Sequence, residues 1–163
     1  MVLDDAPMGA DEPAIVKLLN GDLFSIVRTA TPTPYETVSH DGGLTWEKPR
    51  PSAFEGFNTP SALLRLGDGA ILRVWNLSPA VRYPLVASIS RDECKTWTTP
   101  RTIVTRTKDA NGVPSFDTAC YPSIAQAPDG TILVVWWEVH AGKHHMSWAR
   151  FNPAWVERMP VAR

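Results

Sequence analysis

The sequence predicts an all-β fold assembled from repeated units, and three observations support this prediction. One eight-residue pattern, Ser-x-Asp-x-x-x-Thr-Trp, occurs twice, at residues 39–46 and 90–97. Three longer segments, residues 13–46, 60–97 and 122–155, share one order of features. Short apolar runs bounded by Asn-Gly or Asp-Gly are typical of strands, and no stretch shows helical periodicity over three turns. Repetition on this scale indicates stacked supersecondary units.

The eight-residue pattern, called the box below, has the chemistry of a tight turn between two strands. Ser and Asp side chains bond to nearby backbone amides, and Gly adopts the positive φ that such turns need. The closing Trp returns the chain to an apolar interior. We therefore expect a structural role for the box residues, which are Ser39, Asp41, Gly43, Thr45 and Trp46 in the first copy and Ser90, Asp92, Thr96 and Trp97 in the second.

Each longer unit opens with Pro and a short apolar run, passes a Gly turn and enters an apolar strand. The Gly turns are Asn20-Gly21, Asp68-Gly69 and Asp129-Gly130, and the strands after them are expected at residues 23–27, 70–75 and 131–137. Another strand and a box complete the unit, although the third box is degenerate and keeps only its closing Trp155. Four short strands in a unit of this length predict one blade of a β-propeller.

Three blades define the expected domain organisation. They occupy residues 12–156, between an N-terminal tail at residues 1–11 and a C-terminal tail at residues 157–163. Three blades are too few to close a ring, and a blade cannot bury both of its faces alone. The sequence therefore predicts a partial or open ring. Self-association, or missing N-terminal blades, would cover the exposed blade faces.

Composition narrows the class of protein. A net charge of −1 over 163 residues gives no electrostatic footprint for nucleic acid or an anionic membrane. No apolar run reaches the length of a membrane span, and the acidic residues 1–11 lack the features of a signal peptide. We expect a soluble protein of undefined compartment. The two cysteines, Cys94 and Cys120, make no disulfide framework and are expected to be free thiols.

No cofactor or metal is implied by the motifs. The chain has no phosphate loop, dinucleotide fingerprint or metallohydrolase signature. A local group of histidines, His140, His144 and His145, has no carboxylate or Cys at a recognised ligand spacing. We interpret this group as part of a hairpin between two strands.

Beyond the boxes, five short segments follow one another along the chain. In chain order they are Glu12-Pro13-Ala14-Ile15, Arg28-Thr29, Asn58-Thr59-Pro60-Ser61-Ala62, Arg82-Tyr83-Pro84-Leu85 and Tyr121-Pro122-Ser123. Together with the boxes, this series resembles the sialidase-like proteins with bacterial neuraminidase repeats, also called Asp-box proteins. The resemblance covers residues 12–155 and implies the second half of a six-bladed sialidase domain.

The resemblance implies a retaining exo-glycoside hydrolase that acts on terminal sialic acid or a related acidic sugar, so the expected partner is a sialylated or acidic glycan. Arginines hold the sugar carboxylate, because guanidinium groups bind carboxylates through paired hydrogen bonds. A Tyr activated by a Glu base attacks the sugar. By resemblance, Glu12 is the base, Tyr121 the nucleophile, and Arg28 and Arg82 the arginines. Asn58 and Asn76 either contact sugar hydroxyls or only shape turns.

Departures from the family pattern limit this prediction. The family's first arginine and its acid/base Asp come from earlier blades, and Asp109 and Asp117 follow the second box, in the wrong place for that acid. We therefore expect the chain alone to be a weak catalyst or inactive. Two alternatives stay open: a non-catalytic propeller that binds a glycan or protein, and a lyase or hydrolase of other acidic sugars. Taken singly, each proposed site residue also has a purely structural interpretation.

Overall fold

The computed structural model describes residues 9–56, 58–104, 118–140 and 142–158. These residues form eleven β-strands and one short helix. In chain order the elements are β1 (Asp11–Lys17), β2 (Leu23–Arg28), β3 (Tyr35–Ser39), β4 (Arg50–Pro51), β5 (Ala62–Arg65), β6 (Ile71–Asn76), β7 (Leu85–Ser90), β8 (Arg101–Val104), β9 (Thr118–Gln126), β10 (Ile132–His140), β11 (Lys143–Phe151) and α1 (Pro153–Glu157).

The strands make three antiparallel sheets, each a meander of neighbours in sequence. The first sheet has the order β1-β2-β3-β4, the second β5-β6-β7-β8 and the third β9-β10-β11. Within the described ranges the sheets do not close on one another, so the structure is a partial, open propeller with the predicted all-β blades. The expected strands at residues 23–27, 70–75 and 131–137 correspond to β2, β6 and β10.

The three Gly turns have one geometry, which explains why they recur. Gly21, Gly69 and Gly130 have φ of 97°, 88° and 83°, and each amide donates to the carbonyl three residues earlier. In an L-residue with a side chain this φ is disfavoured by contact between Cβ and the carbonyl oxygen. Each turn joins the inner strand of a blade to its second strand.

Both boxes form hydrogen-bonded turns with matching contacts. Asp41 accepts from the Thr45 hydroxyl at 2.6 Å and the Thr45 amide at 2.8 Å, and Ser39 donates to Asp41 at 2.9 Å. In the second box, Asp92 accepts from the Thr96 hydroxyl and amide at the same two distances. The closing tryptophans, Trp46 and Trp97, are half-buried.

The third unit ends differently from the predicted box remnant. Trp148 lies in β11, where 63% of it is exposed, and Trp155 lies in α1. Asn152 caps this helix, because its Oδ1 accepts from the Trp155 amide at 2.8 Å, and Pro153 supplies a favourable first residue. A helix therefore packs against β7 where a remnant of a box was expected. The third sheet has three strands in the described ranges.

Apolar layers between neighbouring sheets make up the core. The layer between the first and second sheets contains Val16, Phe24, Ile26 and Ile71. A larger layer joins the second sheet to the third, with Val74, Leu85, Ile132, Val134 and Trp136 among its buried members. The second sheet is thus covered on both faces, which explains why β6 and β7 are buried along their whole length.

Both cysteines are buried free thiols, as predicted. Burial raises the pKa of Cys94 to about 12, so its thiol stays protonated at neutral pH. The hairpin interpretation of the histidine group is also confirmed, since β10 ends at His140 and β11 begins at Lys143. None of the described helices is long and apolar enough to cross a membrane.

Candidate functional site

The inner strands of the three blades lie side by side and place the site residues together. β5 contacts β1 on one side and β9 on the other. Glu12 lies on β1, Asn58 lies just before β5, and Tyr121 lies on β9. One end of the inner strands therefore gathers a side chain from each blade.

Glu12 and Tyr121 each lie in a β-bulge. In the first sheet Asp11 pairs with Arg28 while Ala14 pairs with Ile26, so β1 holds one extra residue. In the third sheet Cys120 pairs with Trp137 while Ser123 pairs with Val135, again with one extra residue. Such a bulge redirects a side chain out of the regular alternation of a strand.

Three site residues adopt a left-handed backbone conformation. Glu12, Asn58 and Tyr121 have φ of 46°, 49° and 57°. Positive φ is uncommon for residues other than Gly, costs free energy, and gathers at functional sites. The surrounding sheets hold all three residues in this conformation.

Arg28 is the centre of the site. Its Nη1 donates to Glu12 Oε2 at 2.5 Å and its Nε donates to Asn58 Oδ1 at 2.8 Å. Burial lowers the pKa of Arg28, but the hydrogen bond and charge of Glu12, together with those of Tyr121, outweigh burial and leave this pKa raised. Arg28 thus interacts with residues from all three blades and stays charged.

Arg82 reaches the same cluster from the loop before β7. Its Nη2 contacts the Asn58 carbonyl at 3.4 Å, at the long limit of an N–H···O hydrogen bond, and its Nη1 donates to Cys120 Sγ at 3.5 Å, a usual distance for a sulfur acceptor. Its guanidinium carbon lies 5.4 Å from the centre of the Tyr121 ring, within range of a cation–π contact. The Arg82 guanidinium therefore lies beside Asn58, Cys120 and Tyr121.

Asn76 occupies a different place from the channel-lining position considered in the sequence. It is fully buried, and its Nδ2 donates to the Ala119 carbonyl at 2.6 Å. This bond ties the second strand of one blade to the inner strand of the next. A fully buried amide does not contact a sugar directly, so Asn76 is a support behind the site.

Three further residues border the site, and the sequence did not predict them as site residues. They are Trp137, His144 and Cys120. Trp137 packs edge-on against Tyr121, with ring centroids 6.3 Å apart, and its Nε1 donates to His144 at 3.2 Å. Cys120 receives the Arg82 contact, and burial raises the pKa of its thiol. Aligning the two bulges would have found Trp137, because Cys120 pairs with Trp137 as Asp11 pairs with Arg28.

The charged groups of the site come from two arginines and one acidic residue. Among the described residues, the Glu12 carboxylate pairs with Arg28, and Asp109 and Asp117 lie outside the described ranges. Among the described residues no group of three or more His, Cys, Asp and Glu is arranged to hold a metal ion. The site combines two guanidiniums, one carboxylate and one phenol, a set suited to binding an anion.

Solved structures share this fold. The intramolecular trans-sialidase from Ruminococcus gnavus, in complex with oseltamivir carboxylate, matches 96% of this chain and 35% of its own, with a TM-score of 0.72 and 20% identity. The alpha-L-arabinanase from Penicillium chrysogenum, complexed with arabinobiose, matches 88% of this chain and 46% of its own, with a TM-score of 0.67 and 17% identity. NanB sialidase from Streptococcus pneumoniae, as its K499G mutant, matches 90% of this chain and 24% of its own, with a TM-score of 0.63 and 17% identity.

These likenesses establish a fold that is shared by sialidases and arabinan-cleaving glycosidases. The chain spans less than half the length of each of the three proteins. No curated protein matches the sequence. The family described as BNR repeat-like domain matches residues 5–134, well over half of the chain. The resemblance drawn from the sequence is confirmed at this level, and the chain belongs to the family of BNR repeat-like domains, with a sialidase-like fold.

Proposed function

We propose that this chain carries part of the active site of a sialidase-type, retaining exo-glycoside hydrolase for terminal sialic acid or a related acidic sugar. One observation carries the proposal: two guanidiniums, a carboxylate and a tyrosine from three blades meet around Arg28 and Asn58. Folding alone does not require this convergence, because two apolar layers between the blades already hold the sheets together.

The arginines favour an acidic ligand over a neutral one. Arg28 is charged and mostly enclosed, with 14% of its side chain exposed, and among the described residues no carboxylate pairs with Arg82. Guanidinium groups hold a carboxylate through charge-assisted, paired hydrogen bonds. A neutral arabinan would leave the positive charge of Arg82 without an anionic partner among the described residues. The proposed ligand is therefore a sugar that bears a carboxylate.

In the proposed chemistry Tyr121 is the nucleophile and Glu12 its base. The Tyr121 oxygen forms a bond to the anomeric carbon as the glycosidic C–O bond breaks, and the phenol proton passes to Glu12. Water then displaces Tyr121 from the anomeric carbon and loses a proton to solvent, while the Tyr121 oxygen takes its proton back from Glu12. Two successive displacements retain the configuration. Tyr suits this role because a carboxylate nucleophile would be repelled by the sugar carboxylate. In support, Glu12 and Tyr121 interact with the same guanidinium.

The departing oxygen also needs a proton, and the described residues place no second carboxylate against the cluster. Loss of a positioned general acid lowers a rate by about a hundredfold to ten-thousandfold. We therefore expect the chain alone to bind an acidic sugar while it catalyses cleavage slowly or not at all. The same observation favours a second candidate, a propeller that binds acidic glycans without catalysis.

Calorimetric titration with N-acetylneuraminic acid tests the binding part of the proposal. We expect saturable binding that Arg28→Ala and Arg82→Ala each abolish. Arg91→Ala is the matched control, because Arg91 pairs with Asp68 and Glu157 and belongs to the second box. Binding that survives both site substitutions, or that Arg91→Ala weakens equally, contradicts the proposal.

Turnover separates the two candidates. The full chain and its Tyr121→Phe variant would be incubated with a fluorogenic aryl sialoside, whose good leaving group lessens the need for an acid. Fluorophore release that Tyr121→Phe removes supports the hydrolase. Binding with no release from either protein supports the binding propeller. An unsaturated product from a uronic acid polymer would instead indicate a lyase.

A further inference from the structure

We infer that Asn58 is a positioning residue that holds the two arginines at one ligand. The inference rests on the proposed function, since it assigns to Arg28 and Arg82 a shared anionic partner. Asn58 accepts from Arg28 Nε through its side-chain Oδ1 at 2.8 Å and from Arg82 Nη2 through its backbone carbonyl at 3.4 Å. One residue thereby contacts both guanidiniums, which come from different blades.

The backbone of Asn58 is fixed independently of the arginines. Its amide donates to the Thr29 carbonyl at 3.0 Å, directly after Arg28 in the chain, and its φ is 49°. Asn tolerates this left-handed conformation better than most residues with a side chain. The bond to Thr29 sets where the Oδ1 atom and the carbonyl oxygen lie relative to β2.

The bonds also decide which faces of the guanidiniums remain for a ligand. At Arg28, Asn58 accepts from Nε and Glu12 accepts from Nη1, so these two donors are already committed within the protein. Asn58 is neutral, so it orients Arg28 without cancelling its charge. A carboxylate at the same place would compete with an anionic ligand.

A purely structural interpretation of Asn58 makes a different prediction. If the position needed only a residue that tolerates positive φ, Gly would replace Asn without loss. If the side chain positions Arg28, Gly keeps the backbone bonds and removes Oδ1 alone. The variant Asn58→Gly therefore separates the two roles, and it is expected to fold because it relieves a disfavoured φ.

The experiment measures two quantities on the full chain, Asn58→Gly, Asn58→Asp and the control Asn20→Gly. The first is hydrogen exchange of the Arg28 Nε–H, by nitrogen-15 NMR, which needs no ligand. The second is the affinity for N-acetylneuraminic acid. Asn20 is a suitable control because, among the described residues, its side chain bonds within its own turn, to Asp22.

We expect Asn58→Gly to speed exchange of the Arg28 Nε–H and to weaken the affinity by roughly tenfold, the size of one hydrogen bond to a charged group. Asn58→Asp should keep the slow exchange and still weaken the affinity, because its charge repels the ligand carboxylate. Asn20→Gly should change neither quantity. Unchanged exchange in Asn58→Gly overturns the inference. Failure of the wild-type chain to bind overturns the proposed function instead, and leaves the exchange result to decide the role of Asn58 toward Arg28.

Discussion

Glu12 and Tyr121 occupy equivalent bulges in the inner strands of the first and third blades. Each is followed by Pro, each has a positive φ, and each lies where its strand gains one residue over its neighbour. Repetition of one backbone device has thus placed a carboxylate and a phenol at the same end of two different blades. Both residues then interact with the guanidinium of Arg28.

The charge of Glu12 should oppose ligand binding. Its carboxylate neutralises part of the Arg28 charge and repels an anion. We predict that Glu12→Gln, which keeps an oxygen for Arg28, strengthens the affinity for N-acetylneuraminic acid severalfold. Calorimetry at two salt concentrations would check this, since the gain should shrink at high salt. A loss of affinity in Glu12→Gln would contradict this prediction, because it would show that the Glu12 carboxylate favours binding of the sugar.

The first box should stabilise the fold in a pH-dependent way. Hydrogen bonds from the Thr45 hydroxyl and amide lower the pKa of Asp41 from 3.8 to about 2. Because the folded pKa is below the unfolded one, the ionised carboxylate stabilises the fold above about pH 4, and this contribution disappears as the pH falls toward 2. Asp41→Asn should therefore lower the urea midpoint more at pH 6 than at pH 2.5. Thr45→Val should reduce the same pH dependence, and an equal loss at both pH values would refute the prediction.

Gly42 tests the backbone of that box. Its φ is 72°, and a Cβ at this position would meet no atom within 4 Å. The cost of Gly42→Ala is therefore conformational, and we expect a loss of about 1–2 kcal/mol in the free energy of unfolding. Gly67→Ala is the control, because its Cβ would make only an ordinary contact with Gln126 at 3.5 Å. Equal effects from the two substitutions would show that φ is not the cause.

Arg73 is a buried side chain, and we expect that the fold does not depend on its charge. It is 1% exposed and stacks on Trp75 at 4.1 Å, and within the described residues its Nε and Nη2 have no hydrogen-bond partner. A buried charge without partners costs free energy, and an apolar side chain at the same place avoids this cost. We predict that Arg73→Met leaves the free energy of unfolding unchanged or raises it.

Arg65→Met provides the contrast, because Arg65 binds Glu93 at 2.7 and 3.0 Å and also two backbone carbonyls. That variant should lose at least about 1 kcal/mol. Chemical denaturation of both variants gives the comparison. A larger loss from Arg73→Met than from Arg65→Met would mean that Arg73 has partners of real energetic value.

The third sheet should drive self-association. On the face away from the core, Leu133, Met146 and Trp148 are 37%, 69% and 63% exposed, and Trp148 pairs with half-buried Val135. An apolar blade face of this kind normally packs against another blade. We predict a dimer or larger species by light scattering, which Met146→Lys combined with Trp148→Lys converts to monomer. Leu44→Lys, at an 82% exposed position in the first box, should leave the assembly intact, and a monomeric wild-type chain would contradict the prediction.

Short-range patterns along the chain are enough to predict the blades. The Asn-Gly and Asp-Gly turns, with Gly at positive φ, involve residues that are close in the chain. The bonds between Asp41 and Thr45 also span only four positions. A linear pattern therefore predicts both features. The helix α1 was not predicted, because five residues are too few for a periodic pattern of apolar residues. Asn152-Pro153 is nevertheless a local signal for the start of a helix.

The meeting of the site residues depends on contacts between distant parts of the chain. Whether Asn58 contacts a sugar or an arginine depends on its backbone bond to Thr29 and on the approach of β1, β5 and β9. The burial of Asn76 depends likewise on the carbonyl of Ala119 in the next blade. These contacts join residues far apart in the chain, and they form because apolar layers between the blades bring the inner strands together. Local chemistry therefore specified each blade, and packing between blades specified the site.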